Sequence, residues 1–191
     1  MAGDAHAGAA LPRSAGVMRG GPLLVEKAMV SEKLEAKLNE LLNGEMEAHH
    51  VYTQAAAWAS AHKFEGVTKF LLGHAKEEMG HMLKFFEFLD DLGAQIALHG
   101  HQRPVISAGN VRELFQRIQE EERKVTAHIV EAITLARAEN SFETDSFLEW
   151  FSREQHEEEK LCRKILDRID LIGEGPHTAY FIDKELGSLA A

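Results

Sequence analysis

Residues 64–92 read Phe64-Glu-Gly-Val-Thr-Lys-Phe-Leu-Leu-Gly-His-Ala-Lys-Glu-Glu-Met-Gly-His-Met-Leu-Lys-Phe-Phe-Glu-Phe-Leu-Asp-Asp-Leu92. Phe64, Val67, Leu71, His74, Glu78, His81, Phe85, Phe88 and Leu92 recur at alternating spacings of three and four. That is the period of a long helix with one buried stripe. The stripe should be apolar throughout, yet its middle holds Glu78 and His81, three residues apart on one helical face. A buried carboxylate and imidazole need partners from outside their own helix, so the rest of the chain must supply them.

Three further segments share the pattern. The first carries Leu34, Leu38, Leu41, Glu45, Ala48, Tyr52, Ala55 and Ala59; the third carries Val111, Phe115, Ile118, Glu122, Val125, Ile129, Ala132 and Ala136. The fourth carries Phe147, Phe151, Glu154, Glu158, Leu161 and Ile165. Ser31 stands where a cap would open the first helix, and Asn110 with Glu113 resembles a capping box for the third. Gly93, Asn140-Ser141 and Gly173-Glu-Gly-Pro176 mark the other ends, and a short fifth helix is expected within residues 178–189. A few residues around His62 join the first two segments, and a few around Asn140 the last two, so each pair runs antiparallel. The second helix is roughly 43 Å long at 1.5 Å per residue. The stretch 93–109, extended at Arg103-Pro104, reaches about 56 Å and can return along the whole bundle. The expected fold is therefore all-α: a four-helix bundle with one long crossover between helices two and three and a short C-terminal fifth helix.

Composition narrows the function. The 191 residues carry 31 acids against 21 Lys and Arg, a formal charge of −10. Such a surface argues against nucleic acid or an anionic membrane as a partner and suits a cation. The longest body stretch free of Asp, Glu, Lys and Arg, Ala48 to His62, is too short to span a membrane. The single cysteine, Cys162, excludes an internal disulfide or a multi-cysteine metal site in one chain, and is read as packing. Residues 1–28 are rich in Ala and Gly, and no apolar run there is long enough for a signal peptide. They are expected to be a disordered N-terminal extension, with residues 29–191 as the folded domain and the cytoplasm as its location.

Each of the four stripes is interrupted by glutamate near mid-helix, at Glu45, Glu78, Glu122 and Glu158. These lie within about two residues of the helix midpoints, hence within roughly 3 Å of one level. Four carboxylates in a dry core repel, and no Lys or Arg occupies the stripes at that level. Two divalent or trivalent cations would balance them, and the Glu78–His81 pair suits iron, manganese or zinc. Glu47-Ala-His-His50 offers a second Glu-x-x-His, but Glu47 lies about 200° around the helix from Glu45. It is read as a solvated surface pair, with an accessory metal site as the alternative. Glu77, Glu154, Glu157 and Glu158 form either a solvated acidic edge or a third cation site beside the pair. Tyr52 and Trp150 are core fillers or electron donors, and His74 is read as a hydrogen-bonded core residue.

Several stretches resemble bacterial non-haem ferritins: Lys37-Leu-Asn-Glu40, Phe64-Glu-Gly66, His74-Ala-Lys-Glu-Glu-Met-Gly-His81, Ser152-Arg-Glu-Gln-His-Glu-Glu-Glu-Lys-Leu161 and Tyr180-Phe-Ile-Asp-Lys-Glu-Leu186. The resemblance covers residues 29–187. It implies a ferritin-like bundle whose Glu45, Glu78 and His81 hold one iron, with Glu78 bridging to a second held by Glu122 and Glu158, and with Gln155 close by and counted among the metal-site residues. It further implies a third iron at Glu77, Glu154, Glu157 and Glu158, and a redox-active tyrosine at Tyr52. The implied activity is oxidation of Fe(II) by O2 or H2O2, with ferric mineral stored in a shell of twenty-four subunits. A haem-binding bacterioferritin is the alternative, since Met79 follows Glu78. However, Gln155 and Glu158 stand where that family would carry a second Glu-x-x-His, so haem is not expected. An encapsulated di-iron cargo protein, docked through residues 1–28, is a further alternative.

Overall fold

The computed structural model describes residues 29–173 and 175–189. Five helices follow one another: α1 (Glu32–Ala61), α2 (Glu65–Asp91), α3 (Val111–Ala138), α4 (Phe142–Ile172) and α5 (Pro176–Leu189). The expected extension over residues 1–28 lies outside the described residues. Among the described residues no strand occurs, and no helix is long and apolar enough to cross a membrane.

The expected ends are present. Ser31 Oγ accepts from Leu34 N at 3.1 Å, and Asn110 Oδ1 accepts from Glu113 N at 2.9 Å. The Glu113 carboxylate reaches back to Gly109 N at 2.7 Å, a capping box opened by one residue. Lys63 (φ 66°) and Asn140 (φ 57°) adopt the left-handed conformation that reverses the chain between α1 and α2 and between α3 and α4. α5 begins at Pro176, the first helical position, where a proline loses no hydrogen bond.

α2 has no side-chain cap from its own N-cap residue, Phe64. Asp183 of α5 supplies one, accepting from Val67 N at 2.9 Å. A Cβ on Gly66 would lie 1.8 Å from the Asp183 carbonyl oxygen, so only glycine lets α5 lie this close across the start of α2. The Phe64-Glu-Gly66 and Tyr180-to-Leu186 stretches are thus two halves of one contact.

α1 packs against α2 and α3, and α3 against α4. α2 meets α4 through stacked rings, Phe85 on Phe151 at 4.2 Å and Phe88 on Phe147 at 3.9 Å. The crossover is fixed along α1 by two asparagines one turn apart. Asn39 and Asn43 donate to the carbonyls of Gln95 and Ala97, both at 2.8 Å, and accept from Ala97 N and His99 N at 2.7 and 3.1 Å. They present to the chain the alternating donor and acceptor edge of a strand.

The buried stripe of α4 differs from the expected one. It runs Thr144, Leu148, Phe151, Gln155, Glu158, Cys162, Ile165 and Ile169. Phe147, Glu154 and Leu161 are half-buried at its edge. Both series alternate threes and fours, so spacing does not separate them. The choice falls to Gln155, whose amide finds partners on α3, whereas a buried Glu154 would add another charge.

Two apolar clusters make the core. One gathers Leu34, Leu38, Phe85, Leu89, Ile129 and Leu148; the other gathers Ala59, Leu71, Phe115, Ile118, Ile165 and Leu186. Each fully buried Leu, Ile or Phe contributes about 1.5–3 kcal/mol. Between the two clusters the core turns polar.

Candidate metal centre

Glu45, Glu78, Glu122 and Glu158 occupy that break, none more than 6% exposed. Among the described residues no Lys or Arg pairs with any of them; their only basic neighbours are His74 and His81. His81 Nδ1 lies 3.0 Å from Glu78 Oε2 and 3.7 Å from Glu45 Oε2. These three residues, from α1 and α2, offer ligand atoms all within 4.8 Å of one another. Trp150 stands edge-on to the His81 ring at 5.5 Å and helps fix it.

A second converged group is His74, Glu77 and Glu158. His74 Nδ1 lies 3.2 Å from Glu77 Oε2 and 3.4 Å from Glu158 Oε2. Yet both His74 Nδ1 and Glu158 Oε2 are buried without a hydrogen-bond partner among the described residues, atoms that a shared cation would satisfy. His74, expected as a hydrogen-bonded core residue, is buried, but its Nδ1 finds no hydrogen-bond partner among the described residues. Its place on the stripe one turn before Glu78 was the available signal. Glu154, half-buried, and Glu157, exposed, belong to neither converged group.

Glu122 also stands outside both groups and is held by hydrogen bonds. The Tyr52 hydroxyl donates to its Oε1 at 2.7 Å; Gln155 Nε2 donates to its Oε2 at 3.0 Å and to its carbonyl at 3.2 Å. Tyr52 also stacks on His74 at 5.3 Å, so one phenol touches Glu122 and the second group.

Burial governs the protonation of these residues. It raises Glu78 and Glu122 to about 7, and the neighbouring carboxylates push the same way. Burial opposes charge on His81, but the hydrogen bonds and fields of Glu45 and Glu78 outweigh it and raise that imidazole to about 10. Tyr52 is held well above the ordinary phenol range, first by burial and then by Glu122. Burial pushes Cys162 up to about 12, leaving an inert packed thiol. Without a cation, the cluster survives by holding protons. A metal ion would displace them.

A five-helix fold with a buried carboxylate and histidine level defines a metal-handling bundle, and the comparisons place it. Residues 35–172 match the ferritin-like domain family. The chain is 39% identical to the bacterial non-heme ferritin of Escherichia coli O157:H7 over 161 residues, 84% of this chain and 98% of that one. It is 31% identical to that of Campylobacter jejuni over 162 residues, 85% and 97% of the two chains. Among solved structures, an open-pore ferritin from the hyperthermophilic archaeon Archaeoglobus fulgidus superposes with a TM-score of 0.80 at 30% identity, covering 83% of this chain and 98% of that chain. The chain belongs to the ferritin family.

Proposed function

We propose that this chain is an iron-storage protein that oxidises Fe(II) at the polar level of its bundle and keeps the ferric product inside a shell built from copies of itself. What carries the reading is four buried glutamates without a Lys or Arg partner among the described residues, in a chain of the ferritin family.

Glu45, Glu78 and His81 hold the first iron. Glu78 bridges to a second, bound by Glu122 and Glu158. Gln155 and Tyr52 hold the Glu122 carboxylate in place, and Tyr52 would supply one of the two electrons where only one Fe(II) is bound. Glu77, Glu154 and Glu157 join Glu158 at a third iron, with His74 as an added ligand. Two Fe(II) yield two electrons, which with two protons reduce O2 to H2O2. Carboxylate-rich sites favour hard Fe(III) while leaving it exchangeable with further carboxylates, as onward movement requires. Residues 29–191 form the iron-binding domain. The shell has twenty-four subunits and works in the cytoplasm. The proposed iron chemistry requires no haem.

The test is anaerobic Fe(II) loading of the apo protein, followed by oxygen and counting of iron per subunit. Uptake far beyond the few ions that a bundle can bind supports storage. A plateau at about two or three per subunit would leave a catalytic bundle and defeat the storage reading.

A further inference from the structure

The second Glu-x-x-His of the sequence is not isolated. On the side of α1 turned away from Glu45, His50 stands beside two histidines delivered by the crossover. The His50 and His101 ring centres are 5.7 Å apart, and those of His101 and His99 are 5.3 Å apart. Two imidazoles sharing one ion with Zn–N bonds of about 2.0–2.1 Å have ring centres about 5 Å apart at the tetrahedral angle. Both ring pairs stand within about 1 Å of that spacing, although the ligand atoms of the set do not converge as those of the two inner groups do. Glu47, one turn before His50, lines a cleft of about 270 Å³ together with His99 and His101.

Two observations show that the cluster is positioned. Asn43, buried, accepts from His99 N while its amide holds the Ala97 carbonyl, so the backbone bearing His99 is anchored to α1 one turn before Glu47. The His49 ring nitrogen Nδ1 donates to the Ala75 carbonyl at 2.6 Å, and its ring lies edge-on to His50 at 5.5 Å.

We propose that Glu47, His50, His99 and His101 form an accessory site for a borderline divalent transition metal, separate from the polar level inside the bundle. Three imidazoles with one carboxylate favour Zn(II), Cu(II) or Fe(II) over Ca(II) or Mg(II). The crossover supplies two of the four ligands, so binding there ties it further to α1.

Zn(II) titration of the full-length apo protein, with metal counted after gel filtration, tests this. His50→Ala and His101→Ala should each bind one Zn(II) per subunit fewer than the parent. X-ray absorption of the ion lost from those variants should show a histidine-rich shell at about 2.0–2.1 Å. Equal Zn(II) counts in parent and variants would overturn the site, as would loss in only one of the two. Glu47→Gln keeps size and should weaken the outer ion about tenfold or more without altering thermal unfolding of the apo protein. Unchanged affinity would remove Glu47 from the set.

Discussion

Glu78-Met-Gly-His81 and Glu47-Ala-His-His50 carry the same four-residue pattern on neighbouring helices, and they sit in opposite environments. The first is buried between two apolar clusters, where the Glu78 and His81 groups are 3.0 Å apart. The second has an exposed Glu47 and a half-buried His50, and its further partners come from a loop. Spacing sets which side chains share a helix face, but the phase of the stripe decides what that face meets. Inside, the surrounding core fixes the side chains and forces the question of charge balance. Outside, water can solvate the same groups, so nothing obliges a metal to bind until additional imidazoles are brought near. An identical motif thus implies a structural necessity in one place and a proposed accessory site in the other.

The sharpest way to break this contrast is on the inner side. Glu45→Ala and Glu122→Ala should each lower the initial rate of Fe(II) oxidation more than about 100-fold, the upper end for groups one shell further out. Stopped-flow absorbance would detect this. Tyr52→Phe and Gln155→Leu, which leave the proposed ligands intact but free one Glu122 oxygen each, should lower the same initial rate by about 10–100-fold. If either matches Glu122→Ala, the tyrosine or glutamine does more than hold the carboxylate.

The pH response should also separate the two regions. Glu78 and Glu122 are raised from 4.5 to about 7, and His81 from 6.5 to about 10. For each, the folded state holds a proton that the unfolded chain has released. Their contribution to apo stability is therefore full below the unfolded values. It is lost as pH rises from about 4.5 to 7 for the carboxylates and from about 6.5 to 10 for the imidazole. With a divalent metal bound, protons compete with the ion, and stability should instead rise with pH over the lower range. Thermal unfolding of apo and metal-loaded protein at pH 5 to 8 checks both signs. Parallel curves would mean that the inner cluster is not where the metal binds.

Far from both regions, Gly66→Ala should cost about 1–3 kcal/mol, because the Asp183 backbone cannot retreat as a side chain would. Asp183→Ala should cost about 1 kcal/mol as a lost cap. Denaturant titration separates the two. Both should spare iron binding inside the bundle.

Much of this was legible from the sequence. The threes and fours gave four helices to within a residue or two, and loop lengths gave their directions. Glutamates at matching heights gave the polar level. The phase of α4 was not legible, because 147/148, 154/155 and 161/162 are adjacent edges of one stripe, and only the Gln155–Glu122 bonds separate them. Nothing local in the sequence marks Asn39 and Asn43, because their function depends on a loop more than fifty residues away. For the same reason His50 looked solvated: nothing local shows that His101 returns beside it.

If iron is oxidised at the buried level, as proposed, Glu78 is the residue on which the reaction depends most. The decisive measurement is the initial rate of Fe(II) oxidation by O2 in Glu78→Ala against the parent, at matched assembly state. Loss of the fast phase is the predicted result, since both proposed irons lose a ligand; an unchanged initial rate would contradict the account.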